Sequence, residues 1–264
     1  MGQGLNTGRV AGVLLHPTSL PSGRLDADAY RWVDWLAQAG LRVWQMLPLG
    51  VPLVGLSPYQ CASAFAINPG LFAGGVSGSD DATAFSVWYE SQRHWVDDYA
   101  LFMVLKQQFA GQEWTAWPGA LRQRESQAMA QVRSAHAAAI SALIQEQYRC
   151  YCQWQDLRQY ATQQGVALFG DMPIFVAYDS ADVWAHPELF LLNADGEAEW
   201  VTGVPPDYFS ETGQRCGNPH YHWERMAQTD FQWWRQRLEY HFAFFDLVRI
   251  DHFRGLAASW MIPA

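Results

Sequence analysis

A parallel α/β fold is predicted for this chain by three features of its sequence. Four short, nearly all-apolar runs recur along it, stretches of helical periodicity separate them, and polar residues gather at the run ends: His16 after the first, Asp171 late in the third, Asp251 in the fourth. Strands buried on both faces read as continuous apolar runs. In barrels built this way, chemistry collects at the C-terminal rim of the strands.

The elements follow in order. "AGVLLH" (11–16) reads as the first strand, ended by the Pro/Ser/Gly loop "PTSLPSG". Asp26 is placed to cap a helix over "DADAYRWVDWLAQAG", where Ala29, Trp32, Val33 and Leu36 recur at helical spacing and Gly40 marks the stop. "LRVWQMLPLG" (41–50) is the second strand, and residues 51–75 form a loop longer than a connection needs. Residues 83–164 read as helices, broken at "WPG". "GVALFGDMPIFVA" is the third strand and 177–222 a long loop. A helix from about Asp230 lines up Trp234, Leu238, His241, Phe242 and Phe245, and "DLVRIDHF" is the fourth strand.

Composition narrows the function classes. Lys+Arg number 17 against 26 Asp+Glu, a net charge of -9 with no basic cluster, so nucleic acid is a poor partner. No apolar run approaches the ~20 residues of a membrane span, and the spacing of Cys61, Cys150, Cys152 and Cys216 fits no zinc pattern. The setting expected is reduced and cytoplasmic. Neither GxGxxG, a P-loop nor HExxH occurs, and His16, Asp171, Asp251 and His252 stand at no HxH or HExxH spacing, so no cofactor is expected. Aromatics make up 15% of the chain, which suits either a large core or a surface that stacks on sugars.

On the fourth strand, alternation puts Leu247, Arg249, Asp251 and Phe253 on one face and Val248, Ile250 and His252 on the other. A guanidinium beside Asp251 favours its ionised form, as a covalent glycosyl-transfer nucleophile requires. A buried structural Arg–Asp pair fits the same pattern. By themselves, His252 fits a core or loop histidine and Asp171 a turn former. A metal-dependent hydrolase using His16, Asp171, Asp251 and His252 is a rival without motif support.

The segments "GVLLHPTSLPS", "WQMLPLG", "SPYQCASAFAINP", "LFGDMPIFVAYDSADVWAHPELF", "GVPPDYFSETGQRCGNPHY" and "FDLVRIDHFRG" resemble, in order, the N-terminal half of the amylomaltases, the bacterial and plastid 4-alpha-glucanotransferases. The resemblance implies a (β/α)8 barrel of the alpha-amylase clan, with about four β/α units here: residues 1–75 start the barrel, 76–165 form a helical insertion and 166–264 carry strands three and four with a lid loop. It implies a retaining transfer between maltooligosaccharides through a covalent glucosyl-enzyme, without cofactor. Asp251 then matches the nucleophile and Arg249 the arginine that orients it. Asp171, His252, Ser57, Tyr59, Asn218 and Pro219 match sugar-contacting positions, and Asp207, Tyr208 and Phe209 the lid.

Three positions depart from the family pattern: Val54 replaces a stacking tyrosine, Leu56 an aspartate and Cys216 a tryptophan. In this family the acid/base glutamate lies on the fifth strand and a third carboxylate on the seventh. Glu188, Glu197, Glu199 and Glu211 match neither. The expectation is the front half of the enzyme, inactive without its C-terminal half; a non-catalytic glucan-binding remnant is the alternative.

Overall fold

The computed structural model describes residues 8–53, 55–72, 81–206, 208 and 210–264. The chain runs β1 (Gly12–Leu14), α1 (Ala27–Gln38), β2 (Val43–Gln45), α2 (Ala82–Gln108), α3 (Gly119–Arg122), α4 (Ser126–Ala135), α5 (Ala137–Gln163) and β3 (Ala167–Met172). There follow α6 (Ala181–Ala185), β4 (Trp200–Val204), β5 (Gln214–Pro219), α7 (Trp223–Ala227), α8 (Gln232–Phe244), β6 (Leu247–Ile250) and β7 (Trp260–Pro263). The main sheet has the order β1-β2-β3-β6, every pair parallel. Its strands are shorter than the apolar runs, but single bonds prolong the ladder: Leu15 N–H to Gln45 O, 2.9 Å, and Asp251 N–H to Met172 O, 3.0 Å.

The expectation of a sheet buried on both faces needs correction. One face carries Trp44, Leu168 and Met172, all fully buried. Trp44 and Leu168 share a cluster with Val33 and Leu36 of α1, Trp154 and Leu157 of α5, and Phe244 and Phe245. The other face presents Leu14, Gln45, Phe169, Asp171, Leu247 and Arg249, and Leu14 is exposed. Polar side chains punctuate that face, so it is not sealed by apolar packing.

Helix α1 is the one read from the sequence: Asp26 accepts from the Asp28 N–H, and Ala29, Val33 and Leu36 are buried. The tryptophans are mostly structural. Trp44, Trp114, Trp154 and Trp184 are fully buried, and the Trp44 and Trp154 indoles donate to the carbonyls of Leu15 and Phe244, both at 2.8 Å.

Two readings of the later chain are corrected. The span 177–222 is not loop alone: it holds β4 and β5, which with β7 form an antiparallel sheet ordered β5-β4-β7. Glycines and prolines in "TGVPP" and "GNP" concealed this pairing, which a bulge between Val201 and Gly203 also interrupts. On α8 the buried set is Trp233, Trp234, Arg237, His241 and Phe244, while Phe242 is exposed. Asp230 and Phe231 both take left-handed backbone (φ 51° and 52°), which delays the start of α8 and turns its face.

Gly170 sits where β3 meets the segment entering β6: a Cβ there would fall 2.3 Å from the Phe245 ring. Gly170→Ala therefore overpacks the sheet–helix interface and is expected to cost about 1–3 kcal/mol. A thermal melt indistinguishable from that of the unsubstituted protein would refute this close approach.

Candidate active site

Parallel pairing sets Asp171 of β3 directly opposite Arg249 of β6, so both side chains leave the same face of the sheet. Arg249 Nη1 donates to Asp171 Oδ2 at 2.6 Å, and its Nη2 donates to Asp251 Oδ1. Tyr59 Oη donates to the same Asp171 Oδ2 at 2.7 Å. Tyr59, from the long first loop, is thereby joined to Asp171 of β3, Arg249 of β6 and Asp251 just past the end of β6.

Burial differs sharply across this network: the Asp171 side chain is 1% exposed, Arg249 42% and Asp251 36%. Burial raises the Asp171 pKa, and the hydrogen bond from Tyr59 and the charge of Arg249 offset this only in part. Burial and then the Asp171 carboxylate push the Tyr59 phenol up to about 12, which keeps it a donor. Burial opposes the Arg249 charge, but Asp171 and Asp251 outweigh it and raise its pKa. The reachable carboxylate is therefore Asp251, with Asp171 anchoring Arg249 from below.

The predicted face of the fourth strand holds only as far as Asp251. Strand β6 ends at Ile250, His252 takes left-handed backbone (φ 53°), and a 3-10 turn follows over Phe253–Leu256. Phe253 thus leaves the Arg249 face and is exposed. His252 is also exposed, with its ring 6.3 Å from that of Phe175.

The remaining predicted residues divide. Ser57 shapes the turn that aims Tyr59: its Oγ accepts from the Tyr59 N–H at 3.3 Å and its carbonyl from the Gln60 N–H at 3.1 Å. Asn218 is buried, donating to Val176 O at 2.7 Å and accepting from Gln60 Nε2 at 3.2 Å. Pro219 is buried opposite Val201 of β4. Of the lid residues Tyr208 is fully exposed, while Asp207 and Phe209, like Val54, lie outside the described residues. Leu56 is exposed with φ 58°, and Cys216 is exposed. His16, Asp171, Asp251 and His252 do not converge: among the described residues no three His, Cys, Asp or Glu side chains form a metal group.

Sequence reasoning missed Arg237. It is 1% exposed, and among the described residues it has no carboxylate within ion-pair distance. Its guanidinium donates to Pro173 O at 2.5 Å, Ile174 O at 3.1 Å and Tyr221 Oη at 3.3 Å. Those carbonyls lie just past Asp171, so α8 holds the backbone that carries the buried carboxylate. A polar residue inside an aromatic helical pattern gave no signal of this. Arg237 also lines a cavity of about 70 Å³ beside Tyr59, Cys61, Asp171 and His241. Burial pushes the Cys61 thiol up to about 12, so it is no nucleophile.

The network makes a testable demand. Arg249→Met strands the buried Asp171 carboxylate, and the expected loss is about 2 kcal/mol at neutral pH, below the ~3–5 of a fully buried pair because Arg249 is half open to water. The Asp171 pKa is already raised, and losing Arg249 raises it further. Such a group favours the fold when protonated, so the deficit of the variant shrinks as pH falls through that raised pKa. A deficit that is constant with pH in thermal melts would contradict it.

Comparison with known proteins gives the family and the fold. A family model described as 4-alpha-glucanotransferase matches residues 14–77 and 73–264. The chain belongs to the 4-alpha-glucanotransferase family. It is 42% identical to the 4-alpha-glucanotransferase of Thermus thermophilus over 302 aligned positions, covering 97% of this chain and 60% of that protein. The enzyme of a Synechocystis strain is 39% identical, with 97% and 61% covered. Among solved structures, the amylomaltase of Streptococcus agalactiae in complex with acarbose superposes with a TM-score of 0.91 at 33% identity, over 97% of this chain and 62% of that one. The fold is thus that of the amylomaltase barrel, represented here by four of its parallel strands. The chain spans about 60% of the length of the curated 4-alpha-glucanotransferases it matches.

Proposed function

We propose that this chain supplies the nucleophile half of a 4-alpha-glucanotransferase active site, acting on maltooligosaccharides and other alpha-1,4-glucans. The observation that carries the reading is the half-exposed Asp251 carboxylate, tied by Arg249 to the buried Asp171 in a chain of this family. Asp251 attacks C1 of a donor glucosyl unit as the C1–O bond to the leaving glucan breaks, and that oxygen takes a proton from a carboxylic acid. The 4-hydroxyl of a second glucan then attacks C1, yields its proton to the same group, and releases the Asp251 carboxylate. Arg249 orients Asp251 throughout. Tyr59, Asp171 and His252 contact the sugar or hold its surroundings, and Asp207, Tyr208 and Phe209 close over it to exclude water.

The acid is not Asp171. With its side chain 1% exposed, that carboxyl has no surface to offer a glycosidic oxygen. Transfer on this reading needs a second carboxyl group from outside the described residues, and the remaining barrel strands would bring it. The native protein incubated with maltotriose is expected to yield glucose and maltopentaose in equal amounts. If it yields only glucose and maltose, the reaction is hydrolysis. Saturable maltoheptaose binding without any product would favour the non-catalytic remnant.

A further inference from the structure

Tyr59 reaches Asp171 from the loop that follows β2, and its hydroxyl has to meet one particular oxygen, Asp171 Oδ2. Bonds within the loop give it a hairpin-like base. Ala62 N–H donates to Val51 O at 2.8 Å, Leu53 N–H to Gln60 O at 2.9 Å and Asn68 N–H to Leu49 O at 2.8 Å. These tie the two arms to each other, and an isolated hairpin is only marginally stable in water. The position of Tyr59 therefore depends on what grips the hairpin from outside.

Gln147 of α5 grips it from 80 residues along the chain. Its Oε1 accepts from the Ile67 N–H at 3.0 Å, and its Nε2 donates to Ile67 O at 2.9 Å. Gln147 is 1% exposed and Ile67 3%, so neither group has water to turn to. The pairing of Ile67 with Gly50 runs through Asn68 N–H and Leu49 O. The N–H and C=O of Ile67 itself thus face away from the hairpin, and the Gln147 amide meets them as a neighbouring strand would. An amide offers a donor and an acceptor side by side without a charge, which is what one extended residue requires.

A second anchor lies closer to Tyr59. Ala64 N–H donates to Asp182 Oδ2 at 2.7 Å, and Ala181 N–H donates to Ala62 O at 2.8 Å. Asp182 also feels the charges of Arg237 and His186, so its loss would reach beyond the loop. The Gln147 side chain bonds only Ile67 among the described residues, which makes it the cleaner handle.

We propose that Gln147 is a positioning residue of the active site: by holding Ile67 it fixes the loop that sets the Tyr59 hydroxyl on Asp171. Its consequence for transfer rests on the glucanotransferase reading, whereas the clamp itself does not. Without the clamp, the Ile67 N–H and C=O lack partners, the loop shifts to reach others, and Asp171 Oδ2 keeps only the bond from Arg249.

The test labels the tyrosine Cζ atoms with carbon-13 and follows the Tyr59 resonance, assigned through Tyr59→Phe. Gln147→Leu removes both bonds to Ile67 and is expected to move that resonance to the position of a phenol in water. Val132→Ala, which loosens the packing of α4 without touching a side-chain hydrogen bond, should leave it in place at a comparable loss of Tm. In maltotriose disproportionation Gln147→Leu should lower kcat/KM about tenfold. That loss should vanish when Tyr59 is already phenylalanine, because both changes act through one bond. A Tyr59 resonance unmoved in Gln147→Leu overturns the proposal, as do losses that multiply in the double variant. If Gln147→Leu does not fold, hydrogen exchange of the unsubstituted protein decides: an Ile67 amide protected like the core supports the clamp, and one that exchanges freely overturns it. A Tyr59 resonance that responds in a protein without transfer upholds the clamp and overturns the glucanotransferase reading.

Discussion

Replacing Asp251 by asparagine is expected to lower maltotriose disproportionation by the native protein about 10³-fold or more, with little change in thermal stability. The two halves of this result have different causes. Asparagine keeps the size of the side chain and can still accept from Arg249, but its amide oxygen cannot form the covalent ester on which double displacement depends. Stability is spared because Asp251 and Arg249 are both substantially exposed, and exposed ion pairs contribute only about 0–1 kcal/mol. Arg249 also keeps its bond to Asp171. A variant that retains transfer within tenfold of the unsubstituted protein would remove Asp251 from the nucleophile role. Equal losses of activity and of folded protein would make the pair structural.

Arg237→Met is expected to have the opposite profile, a large loss of stability. The substitution fills similar space but deprives Pro173 O of the donor seen here, and leaves Ile174 O with the 2.7 Å bond from Tyr221 Oη. Each buried group left unsatisfied costs about 1–3 kcal/mol. The two indoles flanking the guanidinium, Trp233 at 5.4 Å and Trp234 at 5.1 Å, lose a cation–π partner as well. Relief from burying a charge subtracts from this, so the net loss expected is about 2–4 kcal/mol, or about 4–16 °C in Tm.

The same substitution should alter the response to acid. Burial, and secondly the charge of Arg237, lower the His241 pKa to about 3. A histidine buried in its neutral form stabilises the fold above its unfolded pKa, near 6.5, and that contribution is lost as pH falls from there toward 3. Removing Arg237 lifts the folded pKa of His241, so stability should fall less steeply with acid in the variant. Melts of both proteins between pH 7 and 4 decide the matter. Identical slopes would show that the Arg237 charge does not reach His241.

Much of the main sheet and the Asp251 network was legible because local pattern and register carry it. Apolar runs marked the four parallel strands, and a cap at Asp26 with an apolar stripe marked α1. Alternation on the fourth strand placed Arg249 beside Asp251. The same alternation misplaced Phe253, since a left-handed residue at His252 ends the period-2 pattern and no neighbouring residue type announces it. The second sheet was lost for a related reason, its strands being broken by glycine, proline and a bulge.

The sequence by itself determined which residue types are present at the strand ends, the fold class and the family resemblance, because period, turn chemistry and motif order are properties of a chain read in one dimension. Which carboxylate is reachable was decided only in three dimensions. Asp171 and Asp251 are equivalent as letters, yet parallel register and the Tyr59 loop bury one behind Arg249 and leave the other half open to solvent. The role of Arg237 is likewise tertiary, because the two carbonyls it holds lie more than sixty residues away on β3's exit loop and no local pattern encodes a carbonyl that distant.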